Sequence, residues 1–317
     1  MYKRITKGIL FTILIIALTK SGIAQAQETV TKPQSGAENM STQEQAKQVA
    51  NPLADIWYLV FQQNNNWVEM PFGRDSRVQS NLLFQPLIPI RLTEDWSWIS
   101  RPVVTTFNSV PWVDPLTGQD KRTTGFGDTV LAMALAPTKN LVGPWIIALG
   151  PTFIFPTASD SKTLGQKEWQ MGPVAAFGYQ GKDYITYVLV QQWFSIGGWG
   201  KTTNQMATYY AYIHVWESGW TLGTQSQFTV DWKAPRSDRV TFPIGLQVGK
   251  MVKLGPLPVK IDVQGFYYPI SPQVFGPNWG VQLQITPIIP NLIKGQLFGS
   301  SRASSTSTSA EVAGLKK

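Results

Sequence analysis

The chain has 317 residues, of which 15% are charged and 12% are aromatic, and its mean hydropathy is −0.08. A disordered chain would carry more charge and fewer aromatic residues, and a helical membrane bundle would need several apolar runs of about 20 residues. The absence of cysteine excludes a disulfide framework and a thiolate metal site. An aromatic-rich, charge-poor chain of average hydropathy is typical of β-strands that cross a membrane.

The first 26 residues have the pattern of a secretory signal peptide. Three basic residues open the chain, an apolar stretch follows at 9–18, and Ala24-Gln25-Ala26 supplies a small-residue cleavage site. The apolar stretch is too short for a membrane-spanning helix, which needs about 20 residues. We therefore predict cleavage after Ala26. The segment takes half of the net positive charge with it, from +8 to +4, and leaves no Lys/Arg cluster of the kind that binds nucleic acid.

Composition divides the remaining chain into a periplasmic N-terminal segment at 27–54, a barrel at 55–290 and a flexible, Ser/Thr-rich tail at 291–317. The N-terminal segment is polar and is predicted to have little order. Its pattern favours one short helix through Gln43–Val49. Candidate N-cap residues are Asn39, Ser41 and Thr42.

The barrel region has a hydrophobic period of two, which is clearest from Trp220 to Trp232. One set of alternate residues is largely apolar with Trp at both ends, and the other set is polar throughout. Such alternation indicates a strand between two unlike environments. Aromatic residues at the strand ends match the two interfaces of an outer membrane.

About twelve segments have this pattern, each close to the ~9–11 residues that a tilted strand needs to cross a bilayer. Their spans are 55–63, 77–85, 96–107, 125–136, 144–155, 168–180, 183–194, 204–216, 219–231, 239–250, 258–268 and 278–288. The gaps after odd-numbered segments are long and those after even-numbered segments are mostly short, as in outer-membrane barrels. The predicted fold is all-β: a closed antiparallel transmembrane β-barrel of about 12 strands. A soluble sandwich or lipocalin-like barrel would carry more surface charge or need fewer residues.

Several motifs in the middle of the chain carry a family resemblance. They are NPLADIWYLVFQ at 51–62, FQPLIPIRL at 84–92, TEDWSWISRPV at 93–103, GFGD at 125–128, LGPTFIFPTASD at 149–160, GWTL at 219–222 and VDWKA at 230–234. In order and spacing the chain resembles the outer-membrane family named for the MetA pathway of phenol degradation. The resemblance implies a closed outer-membrane barrel and passage of small, apolar or aromatic molecules. Unlike many such barrels, the chain continues past Phe298 instead of ending on an aromatic residue.

A barrel wider than eight strands leaves a lumen, and the polar set of each strand should face it. The predicted inward residues are Arg101, Asp128, Gln192, Thr208, Tyr210, Tyr212, Gln225, Gln227, Asp231, Asp262 and Gln264. Charges within the span are costly unless paired or hydrated, so Arg101, Asp128 and Asp231 are candidates for selectivity or for bracing ion pairs. Tyr210, Tyr212, Phe266 and Tyr268 form either an aromatic track for solute or an interfacial girdle. The loop at 108–124 is a candidate gate.

The motifs give no indication of an enzyme. His214 is the one histidine, and position 216 holds Trp216 where outer-membrane phospholipases have a serine. One histidine without cysteine supplies no metal cluster, and no phosphate-binding loop occurs, so we predict no cofactor or metal. We expect a porin-like channel in the Gram-negative outer membrane whose partners are membrane lipid and a small solute. The alternatives are a sealed structural or adhesion barrel and, third, a lipid-modifying enzyme.

Overall fold

The computed structural model describes residues 40–160, 162–293 and 295–298. The predicted signal peptide and its cleavage site lie outside the described residues, as does most of the predicted tail. Within the described part of the chain, no helix is long and apolar enough to span a membrane.

Two helices and thirteen strands make up the described chain. The helices are α1 (Thr42–Ala50) and α2 (Lys139–Val142), and a 3₁₀ turn forms at Arg236–Asp238. The strands are β1 (Trp57–Met70), β2 (Arg74–Arg91), β3 (Trp96–Val113), β4 (Asp120–Gly125), β5 (Thr129–Pro137), β6 (Trp145–Phe155), β7 (Glu168–Gln180), β8 (Tyr184–Gly198), β9 (Asn204–Val215), β10 (Trp220–Asp231), β11 (Val240–Leu254), β12 (Leu257–Ile270) and β13 (Pro277–Ile289).

Sequential antiparallel pairing closes the strands into a ring, because β1 pairs with both β2 and β13. Strand β3 has two partners on the same side. Its residues Asn108–Val113 pair with β4, and its residues Trp96–Val103 pair with β5. These two strands therefore occupy one position in the wall, and thirteen strands form a closed antiparallel barrel of twelve positions. The predicted fold class and strand number are confirmed.

The early strands are longer than predicted, and two predicted loops are strands. The gap at 64–76 shrinks to a turn between β1 and β2, and most of 108–124 forms the hairpin of β3 and β4. The Gln/Asn-rich run at 62–66 has low β-propensity, yet it pairs continuously with β2 and β13. Backbone pairing on both sides outweighs the weak local preference of the amides.

The wall separates an apolar outer face from an inner face, as the alternation predicts. On β10 to β13 the outward side chains Leu222, Leu246, Val263 and Val281 are exposed, whereas Gln247 and Asp262 on the inner face are buried. Aromatic residues such as Trp145, Trp220 and Trp279 lie near the strand ends on the outer face. An exposed apolar belt with aromatic borders suits a lipid environment and would be a liability in water.

Helix α1 lies inside the barrel, at the end that holds the short turns between β7 and β8 and between β9 and β10. Its N-cap is Ser41, whose hydroxyl accepts a hydrogen bond from the Glu44 amide N–H at 3.1 Å. Ala46, Val49 and Ala50 are buried in one cluster with inward side chains of nearly every strand. The prediction of little order is therefore wrong for this helix, although its position in the sequence was predicted.

Candidate functional site: the cavity above the helix

The outer half of the lumen contains a cavity of about 250 Å³. Its wall is dominated by side-chain amides from four strands, β1, β2, β10 and β13, which turn inward because they occupy alternate positions. The amide residues are Gln62, Asn64, Asn66, Asn81, Gln225, Gln227, Gln282 and Gln284. Leu83, Pro243 and the rings of Tyr209, Phe266 and Tyr268 complete the lining together with Arg101. The cavity is polar, with one aromatic region.

Arg101 is the one ionisable cation or acid among the residues that line this cavity. Its Nη2 donates a hydrogen bond of 2.7 Å to Gln85 Oε1, and Gln85 Nε2 donates one of 2.9 Å to Gln62 Oε1. The guanidinium carbon lies 6.0 Å from the centre of the Tyr209 ring. A buried glutamine therefore fixes the guanidinium against the cavity wall.

An apolar layer and α1 form the floor of the cavity. Tyr58 and Tyr187, both within electrostatic range of Arg101, belong to the same buried cluster as Ala46 of α1. Polar contacts fasten the helix: Gln43 Nε2 donates to the carbonyl oxygen of Val215 at 2.8 Å, and Lys47 Nζ donates to that of Lys182 at 3.1 Å. The lumen is closed toward the end of the barrel that holds the short turns.

Glu44 is the charged centre of this attachment. Its carboxylate accepts from Lys47 at 2.9 Å and from Gln48 at 3.0 Å, and Lys139 lies 3.5 Å away. Burial raises the pKa of Glu44, but the hydrogen bonds from Lys47 and Gln48 and the charge of Lys139 outweigh burial and leave this pKa below its ordinary value. The helix is thus held in part by a carboxylate that must remain ionised.

A buried ion pair lies in the wall between cavity and helix. Lys260 Nζ is 2.6 Å from Asp262 Oδ1, and Gln247 Nε2 donates to the same oxygen at 2.6 Å. Both charged side chains are only 1% exposed. Asp262 was predicted as an inward residue and lies on the inner face, but its partner is Lys260, which the sequence analysis did not pair with it.

Two of the predicted lumen charges fasten loops instead. Asp128 lies directly before β5. Its two carboxylate oxygens accept hydrogen bonds from the amide N–H groups of Ala158 and Gln166 at 3.1 and 2.8 Å. Asp231 is exposed at the end of β10 and accepts from the Lys233 amide N–H at 2.9 Å. Neither carboxylate pairs with Arg101, because loop amide groups bind both of them at the strand ends.

Four other predicted residues lie on the outer face. Gln192 alternates with buried Gln191 and Trp193, and its amide bonds Asn204 and Trp232 near the rim. Thr208, Tyr210 and Tyr212 alternate with inward Tyr209 and Ala211. Tyr212 stacks on Tyr184, and the Tyr210 ring stacks on Phe242 at 5.9 Å. The predicted phase of β9 is wrong, whereas Gln225 and Gln227 line the cavity as predicted. Of the two alternatives for Phe266 and Tyr268, a position in the lumen fits the structure, since both rings line the cavity.

The candidate gate at 108–124 extends the wall outward instead of folding into the lumen, since Trp112 pairs with Lys121 across the hairpin. Asp114 accepts a hydrogen bond from Lys121 Nζ and one from the Leu116 amide N–H. These bonds, that of Lys121 first, hold the pKa of the Asp114 carboxyl far below its ordinary value. Hydrogen bonds from Arg74 and Arg77 likewise lower the pKa of Asp120.

The amides of β1 and β2 and the ring of Tyr209 are cavity residues that were not predicted from the sequence. The signal was present in the period-two run Gln62, Asn64 and Asn66. Their counterparts Gln282 and Gln284 on β13 have the same period of two. His214 lies at the end of β9, 3.8 Å from Asp183 and against the ring of Trp216. No described group of three or more His, Asp or Glu side chains is placed to hold a metal ion.

Comparison with known proteins supports the fold. Residues 81–189 match the family described as "Putative MetA-pathway of phenol degradation", which confirms the resemblance carried by the sequence motifs. An outer membrane channel from Pseudomonas putida F1 is similar in structure, with a TM-score of 0.54 and 14% identity over 74% of this chain and 94% of that chain. No curated protein sequence matches the chain.

Two further solved structures have lower similarity. The NanC porin has a TM-score of 0.44 and 9% identity, over 72% of this chain and 98% of that one. The transport unit of the autotransporter AIDA-I from Escherichia coli has a TM-score of 0.43 and 10% identity, over 80% of this chain and 99% of that one.

Proposed function

We propose that the protein is a channel of the bacterial outer membrane that lets small molecules with an apolar or aromatic body pass through, without chemistry on the solute. The observation that carries the proposal is the cavity of about 250 Å³ inside a closed barrel. A purely structural barrel would be more stable with a packed interior than with a cavity lined by amides and one cation. The apolar outer belt supports placement in lipid.

In this proposal α1 is the gate at the periplasmic mouth. The helix is separate from the wall. Polar contacts of Gln43, Glu44 and Lys47 attach it, and Ala46, Val49 and Ala50 pack against inward side chains of the wall. Releasing these side-chain contacts costs less than opening the hydrogen-bonded wall. We propose that passage requires the helix to leave its position.

A sealed structural barrel is the second candidate, and the buried helix is the observation that favours it. Ala46 is 0% exposed, so the closed state is tightly packed. The two functions differ in whether displacement of α1 opens a path.

The test is single-channel conductance of the purified full-length protein in a planar bilayer. Ala46→Arg places a long cation where no space exists and should expel α1, so we expect discrete current steps that are rare in the unaltered protein. Ser218→Arg adds the same side chain at an exposed periplasmic turn and should leave the conductance unchanged. A heat-shift gel confirms that each variant is folded. Folded Ala46→Arg protein without current would contradict the channel and support the sealed barrel.

A further inference from the structure

We propose that the cavity contains a binding site for a small organic monocarboxylate, with Arg101 as the residue that binds the carboxylate. The proposal rests on the proposed channel only for the passage of this solute, since the binding site itself exists in the folded barrel whether or not α1 opens.

The first argument is charge. Arg101 is half-buried, and no carboxylate lies within ion-pair distance of it in the described part of the chain. The buried ion pair of Lys260 and Asp262 on β12 is neutral as a unit. A guanidinium in a membrane-embedded wall without a counter-charge attracts an anion more strongly than an exposed one does.

The second argument is hydrogen-bonding capacity. A guanidinium has five N–H donors, and among the described residues Arg101 uses one of them, in its bond to Gln85. Because Gln85 is 2% exposed and is itself bonded to Gln62, it holds the guanidinium plane in place. A fixed planar fork with free donors matches the two oxygens of a carboxylate.

The third argument distinguishes a carboxylate from a phosphate. A phosphate monoester carries close to two charges at neutral pH and is usually bound by several cations or by a nest of backbone N–H groups. Arg101 is the one cation on the lining, and the remaining polar groups are neutral amides. A single negative charge is what this wall can compensate.

The cavity also provides for the rest of the molecule. The Tyr209 ring stands beside the guanidinium, and the rings of Phe266 and Tyr268 lie 6.2 Å apart on the same lining. A flat apolar body can pack on these rings while its carboxylate reaches Arg101. The volume of about 250 Å³ limits the solute to roughly the size of one aromatic ring with its acid group.

The experiment compares benzoate with benzamide as probes of the full-length protein folded in detergent, by isothermal titration calorimetry. The two molecules have nearly the same shape and differ in charge. We expect benzoate to bind at least tenfold more tightly than benzamide, and inorganic phosphate not to compete. Equal affinity for benzoate and benzamide, or competition by phosphate at similar concentrations, would overturn the carboxylate assignment without any variant being needed.

Three variants localise the site. Arg101→Gln should lower benzoate affinity at least tenfold and leave that of benzamide unchanged. Arg101→Lys keeps the charge without the fork and should restore only part of the loss. Arg77→Gln removes an exposed arginine at the outer end of β2 and serves as the matched control, with unchanged binding expected. Benzoate binding that survives Arg101→Gln in folded protein would overturn the proposal.

The outcome is separable from that of the proposed function. Arg101-dependent benzoate binding in a barrel that never conducts supports this inference and contradicts the channel. Conductance after displacement of α1, with no preference for benzoate, supports the channel and contradicts this inference.

Discussion

Lys260 and Asp262 are two positions apart on β12, and both side chains are buried on the inner face of the barrel, where almost no water reaches them. Removing two charges from water is costly, and their mutual attraction recovers that cost only when the geometry is good. Gln247 supplies one additional hydrogen bond to the carboxylate. Loss of either charge therefore leaves the other one buried without compensation.

We predict that Lys260→Met lowers the free energy of unfolding by about 3–5 kcal/mol, because it leaves the Asp262 carboxylate unpaired. The double variant Lys260→Met with Asp262→Leu should recover most of this loss, since neither charge remains. Urea unfolding in lipid vesicles, followed by tryptophan fluorescence, measures both. A double variant as unstable as the single one would show that packing of the lysine stem, and not the charge pair, is what matters.

The outer hairpin of β3 and β4 depends on ionised carboxylates. The pKa of Asp114 is lowered in the folded protein, first by the hydrogen bond from Lys121, so its contribution is complete above its unfolded pKa of about 3.9. Stability of the hairpin is lost as pH falls from there toward the folded pKa. Acid therefore destabilises the hairpin, because the folded state binds the ionised Asp114 carboxylate more strongly than the protonated one.

We predict that amide hydrogen exchange in residues 114–120, corrected for its intrinsic pH dependence, stays slow from pH 7 to about pH 4 and rises below. Asp114→Asn should show the fast exchange already at pH 7. Asp75→Asn is the control, because Asp75 is exposed and makes no ion pair with any described residue. Exchange that accelerates equally in the control would assign the effect to general acid unfolding.

At the scale of elements, α1 is the least typical part of the barrel. Its sequence is mostly polar, and Gln45 and Gln48 are nevertheless buried with Ala46 and Val49. The pattern predicts a short helix and its N-cap candidates. A helix with a mostly polar sequence is expected to be exposed to solvent, not buried inside a barrel. Its position inside the barrel depends on contacts with residues more than 100 positions away, such as Lys182 and Val215.

The same helix explains why the inner face of β9 was misassigned. A lumen filled with water needs polar inward residues, but at the level of α1 the inward positions Ala211, Ile213 and Val215 are apolar and buried. Both faces of β9 are therefore apolar or aromatic there, and the alternation loses its contrast. On β10 to β13, whose upper inner faces border the amide-lined cavity, the faces were predicted correctly.

We predict that acid loosens α1. Since the pKa of Glu44 in the folded state lies below its ordinary value of 4.5, the attachment is complete above that value and is lost as pH falls below it. The chain has no cysteine, so Ala46→Cys provides a single reporter. Its reaction with dithiodipyridine should be slow at pH 7 and accelerate below about pH 4.5.

Ser41→Cys is the matched control for this measurement, because Ser41 is exposed at the start of the helix and should react at every pH. The rate at position 46 is expressed relative to it. Adding Glu44→Gln should raise the reaction rate at pH 7 and remove most of the pH dependence. A pH response that persists in the Glu44→Gln protein would assign the latch to another group.

At the scale of the whole molecule, period-two alternation and loop lengths were enough to predict a closed barrel of about twelve strands, because ring closure follows from continuous antiparallel pairing. The positions of long loops were less predictable. The hairpin of β3 and β4 rises above the wall and contains Trp112, Lys121 and Arg122, a charged and aromatic mixture typical of a loop. Cross-strand partners, which the sequence does not display, make it a strand.

Strand pairing in the wall is interrupted at several places, and the longest interval, between β10 and β11, is relevant to the route of a solute. Pairing of β10 with β11 is present at Trp220–Gly223 and Thr229–Val230 and absent between these segments in the described structure. Side chains fill the interval: Tyr210 donates to the carbonyl oxygen of Pro243, and Gln264 Nε2 donates to Ser226 Oγ at 3.3 Å. These hydrogen bonds close the interval. We therefore expect a solute to pass through the mouth that α1 closes, and not through the wall between β10 and β11.

A disulfide across the interval tests this preference. A Cβ placed on Gly245 would lie 2.8 Å from Ser226 Oγ, which is close enough for cysteines at both positions to be joined. We predict that oxidised Ser226→Cys/Gly245→Cys stabilises the barrel by up to about 3 kcal/mol and leaves passage through the Ala46→Arg protein unchanged. The reduced form of the same variant is the control for the substitutions themselves. Current or dye passage that stops on oxidation and returns on reduction would move the solute path from the helix to the wall between β10 and β11.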